Sequence, residues 1–366
     1  MTNIPINSLV RHVQPFHELL MEACASVIAG GSYVLGPQVK AFEAQFASYC
    51  GVSECVGVAN GTEALELGLR SIGVDHGKRV GLVANAAMYG TTAVLACGAE
   101  PVFVDIDLAT HTLDPGALGR VLAVGKIDAL IVTHLYGRLA DMKAILALAD
   151  KHGFPVFEDC AQAHGARDSS GRCAGSFGKA ASFSFYPTKN LGAIGDGGAV
   201  VTNDHAIADT VRKLRQYGWT AKYRNELPGG RNSRLDELQA AFLRVALPNL
   251  DGWNARRRAI ANRYSREICN PKIQVPAPSG EEYVAHLYVV RTSQRDDLRH
   301  HLEVSGVGSD VHYPVADHHQ PLFGGRFSET VLPATESACE TVLTLPCFPE
   351  LTDDEAKQVI SACNSF

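Results

Sequence analysis

From residue 55 to residue 159 the chain alternates short β-rich runs with helical ones, and this alternation restricts the fold more than any other feature. The runs "CVGV" (55–58), "RVGLVA" (79–84), "PVFVDID" (101–107), "DALIVTHL" (128–135) and "PVFED" (155–159) read as strands. Between them, Ala64, Leu65, Gly68, Leu69 and Ile72 recur at helical spacing, and "MYGTTAVLACG" (88–98) and "ADMKAILALADKHG" (140–153) supply further helical stretches. A run as uniformly apolar as "DALIVTHL" suits a strand buried on both faces. The pattern therefore predicts an α/β protein with a mainly parallel sheet between helix layers. In such sheets ligands bind beyond the C-terminal ends of the strands, so chemistry is sought where strands finish.

After Asn203 the character changes. A helix is predicted over 204–217, then a loop "LPGGRN" (227–232), then a long helical stretch from Leu235 to about Ile268 that Pro248 breaks or kinks. The remainder, with "EYVAHLYVVR" (282–291) and "RDDLRHHLEVSG" (295–306), reads as a smaller α+β unit. The expected division is an N-terminal segment (1–30), a large domain (31–248) and a small C-terminal domain (249–366). A chain of 366 residues has room for two domains, and its net charge of −6 without blocks of like charge argues against nucleic acid as a partner. No apolar run approaches the ~20 residues that span a bilayer, so no membrane partner is expected. The N-terminus lacks the apolar centre of a signal peptide. The ten cysteines are scattered without a C-x-x-C pair, so they read as reduced, mostly buried thiols of a cytoplasmic protein, and no metal is expected.

Three strand ends collect polar groups. At the first, "NGTEAL" (60–65) places Gly61 and Thr62 at a helix start, either an anion cradle or an ordinary turn capped by Asn60 or Thr62. At the second, "PVFEDCAQAHGA" (155–166) ends an apolar strand in Glu158 and Asp159, with Gln162 and His164 beyond. A carboxylate there needs a cation or several donors, or else caps a helix. At the third, "SFSFYPTKNLGAIGDGGAVV" (182–201) sets Lys189 between an apolar strand and a glycine-rich turn. A desolvated lysine loses its proton readily, and a neutral amine is what imine formation with a carbonyl requires, although a solvated loop lysine is the commoner case. The glycine string does not match G-x-G-x-x-G and follows the lysine rather than a strand, which argues against a dinucleotide loop.

Taken together, an anion cradle, a buried carboxylate and a lysine are the groups that pyridoxal phosphate needs: one for its phosphate, one to keep its pyridine nitrogen protonated, one for its aldehyde. Tyr89 stands where it can stack on the ring or simply pack in the core. With "GGSYVLGPQVKAFEAQFASYCG" (30–51), "GRNSRLDELQAAFLR" (230–244) and "VHYPVADHHQPLF" (311–323), this constellation resembles the sugar aminotransferases of the DegT/DnrJ/EryC1/StrS family over nearly the whole chain. The resemblance implies an aspartate-aminotransferase-like fold (fold type I), with a seven-stranded sheet and a homodimer whose sites lie at the subunit interface. It implies pyridoxal 5'-phosphate, or its pyridoxamine form, as cofactor. It makes Lys189 the Schiff-base lysine, Asp159 the partner of the pyridine nitrogen and Tyr89 the residue stacked on the ring. Gln162 falls beside the ring and its 3-hydroxyl. Gly61, Thr62 and Ser184 fall at the phosphate, with Asn232 reaching in from the partner subunit.

Around the lysine, "SFYPTKNLGAIGDGG" departs from the "SFHPVKxITTGEGG" type of stretch that C4 aminotransferases carry and is similar to enzymes that aminate 3-keto sugars. Tyr186, Lys222, His312 and Tyr313 match positions lining the sugar-nucleotide site of dTDP-3-keto-6-deoxyhexose aminotransferases. A lysine and a His-Tyr pair suit a diphosphate, while for His312 and Tyr313 a loop packed at the domain interface is the plain alternative. The implied reaction takes an amino group from glutamate to a nucleotide-linked 3-keto-6-deoxyhexose, with dTDP as the implied nucleotide. Its product would serve O-antigen or other glycan synthesis, or natural products. A C4 aminotransferase is the other reading within the family. A dehydratase relative lacks the lysine that this chain keeps, and a non-catalytic regulator fits poorly with intact Asp159, Gln162 and Lys189.

Overall fold

A computed structural model describes residues 4–366 of the chain. Seven strands form the central sheet: β1 (Glu54–Val58), β2 (Arg79–Val83), β3 (Glu100–Val104), β4 (Ala129–Thr133), β5 (Val156–Asp159), β6 (Ala180–Ser184) and β7 (Gly198–Thr202). Their order is β1-β7-β6-β5-β4-β2-β3. Every pairing among β2 to β6 is parallel, whereas β7 runs antiparallel to both of its neighbours. All residues of β4, β5 and β7 are buried, as in strands covered on both faces, and in β5 this includes the carboxylates of Glu158 and Asp159.

The reversal of β7 matters for the site. Gly198, its first residue, pairs with Val58 and with Ser184, the last residues of β1 and β6. The glycine-rich segment before β7 is thereby brought to the same sheet edge as the ends of the parallel strands. Short polar side chains start the helices that follow. Asn60 accepts from the Glu63 amide ahead of the helix Gly61–Ser71, and Asp204 accepts from Ala206 and Ile207 ahead of His205–Leu214.

Pro248 sits in a single 3₁₀ turn, Leu247–Asn249, between the helices Glu237–Ala246 and Leu250–Glu267, where its fixed φ and missing amide interrupt the run. An exposed hairpin of β8 (Trp219–Ala221) and β9 (Arg224–Asn225) precedes this pair. The C-terminal part packs the helices Leu250–Glu267, Arg295–Val304 and Asp353–Asn364 with an antiparallel pair, β10 (Tyr288–Arg291) and β11 (Val342–Leu345). One buried apolar cluster joins Val104, Leu130 and Val132 of the sheet to Tyr264, Tyr288 and Leu345 of this part. Burial of such side chains contributes roughly 1.5–3 kcal/mol each, so the two parts share much of their stabilising contact. Among the described residues all cysteines are free, and all except Cys24 and Cys269 are buried. No helix among them is long and apolar enough to cross a membrane.

Candidate active site

A cavity of about 670 Å³ opens beyond the ends of β4, β5 and β6, and Gly61, Thr62, Tyr89, Asp159, Gln162, Ser184, Tyr186 and Lys189 all line it. The residues singled out at three distant strand ends thus meet in one place.

Asp159 ends β5 and is buried. Its Oδ1 accepts from the Ala161 amide at 3.1 Å and its Oδ2 from the Thr133 hydroxyl at 3.5 Å. No cation lies within ion-pair distance of it among the described residues, and burial raises its pKa against the pull of those bonds and of the Lys189 charge. A buried carboxylate so thinly satisfied favours a cationic donor brought by a ligand. Gln162 is held in place by its Oε1, which accepts from the Tyr136 amide at 2.6 Å, and its Nε2 donates to the Tyr313 hydroxyl at 3.1 Å.

Lys189 follows a turn in which its amide donates to the Tyr186 carbonyl, with Pro187 inside the turn. Gly192 is needed for that turn, since a Cβ there would lie 2.4 Å from the Pro187 oxygen. The Lys189 Nζ makes no hydrogen bond or ion pair among the described residues. Lost hydration lowers the ammonium pKa from 10.5 to about 8, with Asp159 opposing the shift. At pH 8 an ordinary lysine is only about 0.3% neutral, whereas Lys189 would be about half neutral. Aldehyde modification of the cofactor-free protein, trapped by borohydride and mapped by mass spectrometry, should therefore follow a titration centred near pH 8 at Lys189. A midpoint near that of ordinary lysines would remove the argument from desolvation.

The helix Gly61–Ser71 points its N-terminus into the cavity. Asn60 caps the Glu63 amide and the Asn60 carbonyl takes the Ala64 amide, which leaves the amides of Gly61 and Thr62 without an acceptor among the described residues. Ser184 closes over them: a Cβ on Gly61 would stand 2.6 Å from the Ser184 Cβ. Open amides, a hydroxyl and the positive end of a helix form an anion cradle. The residues present therefore fit pyridoxal phosphate at each of its three points of attachment, judged by an open cradle, an unpaired buried carboxylate and an unpartnered amine.

Tyr89 is half-exposed at the cavity wall, edge-on to Tyr313 with ring centroids 6.5 Å apart. It starts a helix after two left-handed residues, Ala87 (φ 54°) and Met88 (φ 66°). Asp317 secures that turn by accepting from the Met88 amide at 2.9 Å and the Thr91 hydroxyl at 2.5 Å. Burial pushes the Asp317 carboxyl up to about 6. Sequence reasoning did not single out Asp317 for this role, nor Thr133 beneath Asp159.

A second cavity of about 310 Å³ meets the first at Tyr89, Tyr186 and Lys189 and brings in His312 and Tyr313. His312 Nδ1 bonds the Thr344 hydroxyl at 2.8 Å, and its carbonyl accepts from the Tyr136 hydroxyl. Two expected site residues lie elsewhere. Lys222 is exposed on the hairpin between β8 and β9, with Nζ 5.1 Å from the Tyr223 ring. Asn232 is exposed, its backbone bridged to Gln216. Neither lines the cavities of its own chain; Arg231, paired with Glu66, does.

The model of the DegT/DnrJ/EryC1/StrS aminotransferase family matches residues 16–364. The chain is 45% identical, over 94% of its own length and 91% of the relative's, to dTDP-3-amino-3,4,6-trideoxy-alpha-D-glucose transaminase of Streptomyces venezuelae. Its backbone is similar to the crystal structure of Streptomyces venezuelae DesV, with a TM-score of 0.94 and 43% identity over 100% of this chain and 98% of that one. NtdA from Bacillus subtilis, solved with bound cofactor PMP, matches with a TM-score of 0.92 and 28% identity over 99% of this chain and 85% of that one.

Proposed function

Because the chain belongs to the DegT/DnrJ/EryC1/StrS aminotransferase family, we propose that it transfers an amino group from glutamate to a dTDP-linked 3-keto-6-deoxyhexose, giving the 3-amino sugar nucleotide. The observation that carries this reading is the meeting of Lys189, Asp159 and the Gly61–Thr62 cradle in one cavity, joined to a second one that holds His312 and Tyr313. Amination at C3 is supported by the 3-amino sugar in the name of the Streptomyces venezuelae relative and by the stretch "FYPTKNLGAIGDGG". Such a product would feed O-antigen, other glycan or natural-product synthesis, in the cytoplasm.

Pyridoxal phosphate, when bound, supplies an aldehyde that takes up the donor's amine and a pyridinium that draws electrons from the adjacent carbon. The chain's own residues do the rest. Gly61, Thr62 and Ser184 would hold the phosphate, Asp159 would keep the ring nitrogen protonated, and Gln162 and Tyr89 would border the ring. The Lys189 Nζ would anchor the cofactor between turnovers. With its pKa near 8, it also takes and returns a proton close to neutral pH. Tyr186 and the His312–Tyr313 pair border the place where the sugar's ketone must come within ~3–3.5 Å of the reacting amine. Incubation with glutamate and a panel of keto sugar nucleotides, with products identified by mass and NMR, tests the proposal. A 3-amino product is expected. Faster turnover of a 4-keto isomer, or amination at C4, would overturn the regiochemistry.

The exposed positions of Asn232 and Lys222 support a homodimer in which both reach the partner's site, Asn232 at the phosphate and Lys222 at the diphosphate of the sugar nucleotide. Mixed Lys189→Ala and Asn232→Ala chains should then regain activity through heterodimers carrying one intact site. Mixtures no more active than either parent, or an active stable monomer, would defeat the shared site.

A further inference from the structure

Away from the two cavities, two histidines and a glutamate converge where the turn Asp317–His319 meets the helix Pro333–Thr341. His318 is 4% exposed, and its Nε2 stands 3.2 Å from the Glu336 Oε1. Its Nδ1 is buried without a partner, so Nε2 is the one ring atom that meets another polar group among the described residues. The exposed His319 turns its Nε2 toward the same oxygen at 3.9 Å, and the two imidazole centroids lie 3.9 Å apart. Among the described residues these histidines are the only basic side chains within ion-pair distance of Glu336.

A single hydrogen bond to Glu336 accounts for His318 but not for His319. At 3.9 Å its Nε2 is too far from the oxygen for such a bond, and two imidazoles this close cannot both be charged without repulsion. A shared metal ion accounts for both rings. Zinc bonded tetrahedrally to nitrogen and oxygen at ~2.0–2.2 Å sets neighbouring donor atoms about 3.3 Å apart. A ligand atom of each of the three residues lies within 4.8 Å of those of the other two, and the His318–Glu336 pair already has the separation required. The scaffold beneath is fixed. The Glu336 Oε1 also accepts from the Leu332 amide at 3.1 Å. Asp105 holds the start of the same helix, accepting from the Thr335 amide and hydroxyl, both at 2.8 Å, and from the Ala334 amide at 3.1 Å. Outer partners of this kind orient the ligands of metal sites.

We propose that the Nε2 atoms of His318 and His319 and the carboxylate of Glu336 bind one divalent transition-metal ion of the zinc class, with water completing its shell on the exposed side. Two imidazole nitrogens and one carboxylate suit zinc rather than magnesium or calcium, which take oxygen donors. The expectation of no metal rested on cysteine spacing, which says nothing of histidines. The ion pins His318 and His319 to the helix Pro333–Thr341. It thereby steadies their neighbour Asp317, whose carboxylate holds the turn before Tyr89. The site is independent of which substrates the cavities take.

Chelator-treated holoenzyme titrated calorimetrically with Zn²⁺ should bind one equivalent per chain with micromolar affinity or better. His319→Ala and Glu336→Gln should each raise the dissociation constant at least about tenfold. Zinc should also raise the melting temperature of the wild type by more than that of either variant, since it stabilises only a fold that binds it. Affinity weaker than micromolar in the wild type, or equal affinity in the wild type and both variants, would overturn the proposal and leave His318 with an ordinary hydrogen bond. Should the variants not fold, crystals of the wild-type holoenzyme soaked in Zn²⁺ and measured on both sides of the zinc absorption edge decide the matter. An anomalous peak among the three side chains supports the site. A peak only elsewhere, as at the exposed Cys269, or none at all, refutes it. Zinc binding needs no turnover, so its outcome is separate from whether glutamate and keto sugars prove to be substrates.

Discussion

Lys189→Ala is expected to abolish turnover while leaving non-covalent cofactor binding measurable. Proton transfer by a positioned side chain contributes roughly 10²- to 10⁴-fold to a rate. Removing the covalent anchor as well should leave less than about one part in ten thousand of the activity. Phosphate cradle and Asp159 carboxylate remain in the variant, so cofactor should still bind, only more weakly and without a covalent bond. Borohydride should fix cofactor onto Lys189 in the wild type and onto no residue of the variant. A label on another lysine would sink the assignment. Stability gives an independent check. The folded-state pKa of Lys189, about 8, lies below the ordinary 10.5, so between those values the unfolded chain binds more protons and stability rises with pH. Below pH 8 the wild type bears the full penalty of a poorly hydrated ammonium. The cofactor-free variant should therefore melt at or above the wild type at pH 7, and the gap should close as pH approaches 10.5.

Parts of this site were legible because they are local. Asn60, Asp204 and Pro248 act within a turn of their own position, and the strand β4 announces its burial by its run of apolar residues. Residues beyond strand ends were sought as chemistry because a parallel sheet directs ligands there, and Asp159, Ser184 and Lys189 do line the cavity. Other features depend on partners far away in sequence. The reversed direction of β7 follows from pairing with β1 and β6, which periodicity within β7 cannot reveal. Asp317 reads as one more polar residue in "VADHHQ" until the fold sets it against Met88 and Thr91. Lys222 and Asn232 show the reverse limit. Their assignment came from the family resemblance, and a single chain leaves both on its surface.

Asp159→Asn separates charge from shape. Asparagine keeps the side chain's size and can still accept from the Ala161 amide through its Oδ1 while its Nδ2 donates to the Thr133 hydroxyl, but it cannot hold a proton on the pyridine nitrogen by charge. If that charge is worth about 4 kcal/mol in the transition state, kcat falls roughly a thousandfold. The same substitution should not weaken the cofactor-free fold. Burial raises the folded-state pKa of Asp159 above its ordinary 3.8, so the unfolded chain gives up the proton first, and stability falls as pH rises from the ordinary value through the raised one. At neutral pH the wild type thus carries a destabilising buried charge that asparagine lacks. Thermal melts of cofactor-free protein should place Asp159→Asn level with or above the wild type at pH 7, with the two converging near pH 3. Adding cofactor should then stabilise the wild type more than the variant, because only the wild type gains a pyridinium partner for its carboxylate. A variant that keeps near wild-type kcat would remove Asp159 from this role. One that loses activity only because the cofactor-free fold collapses would mean that the carboxylate serves the structure rather than the chemistry.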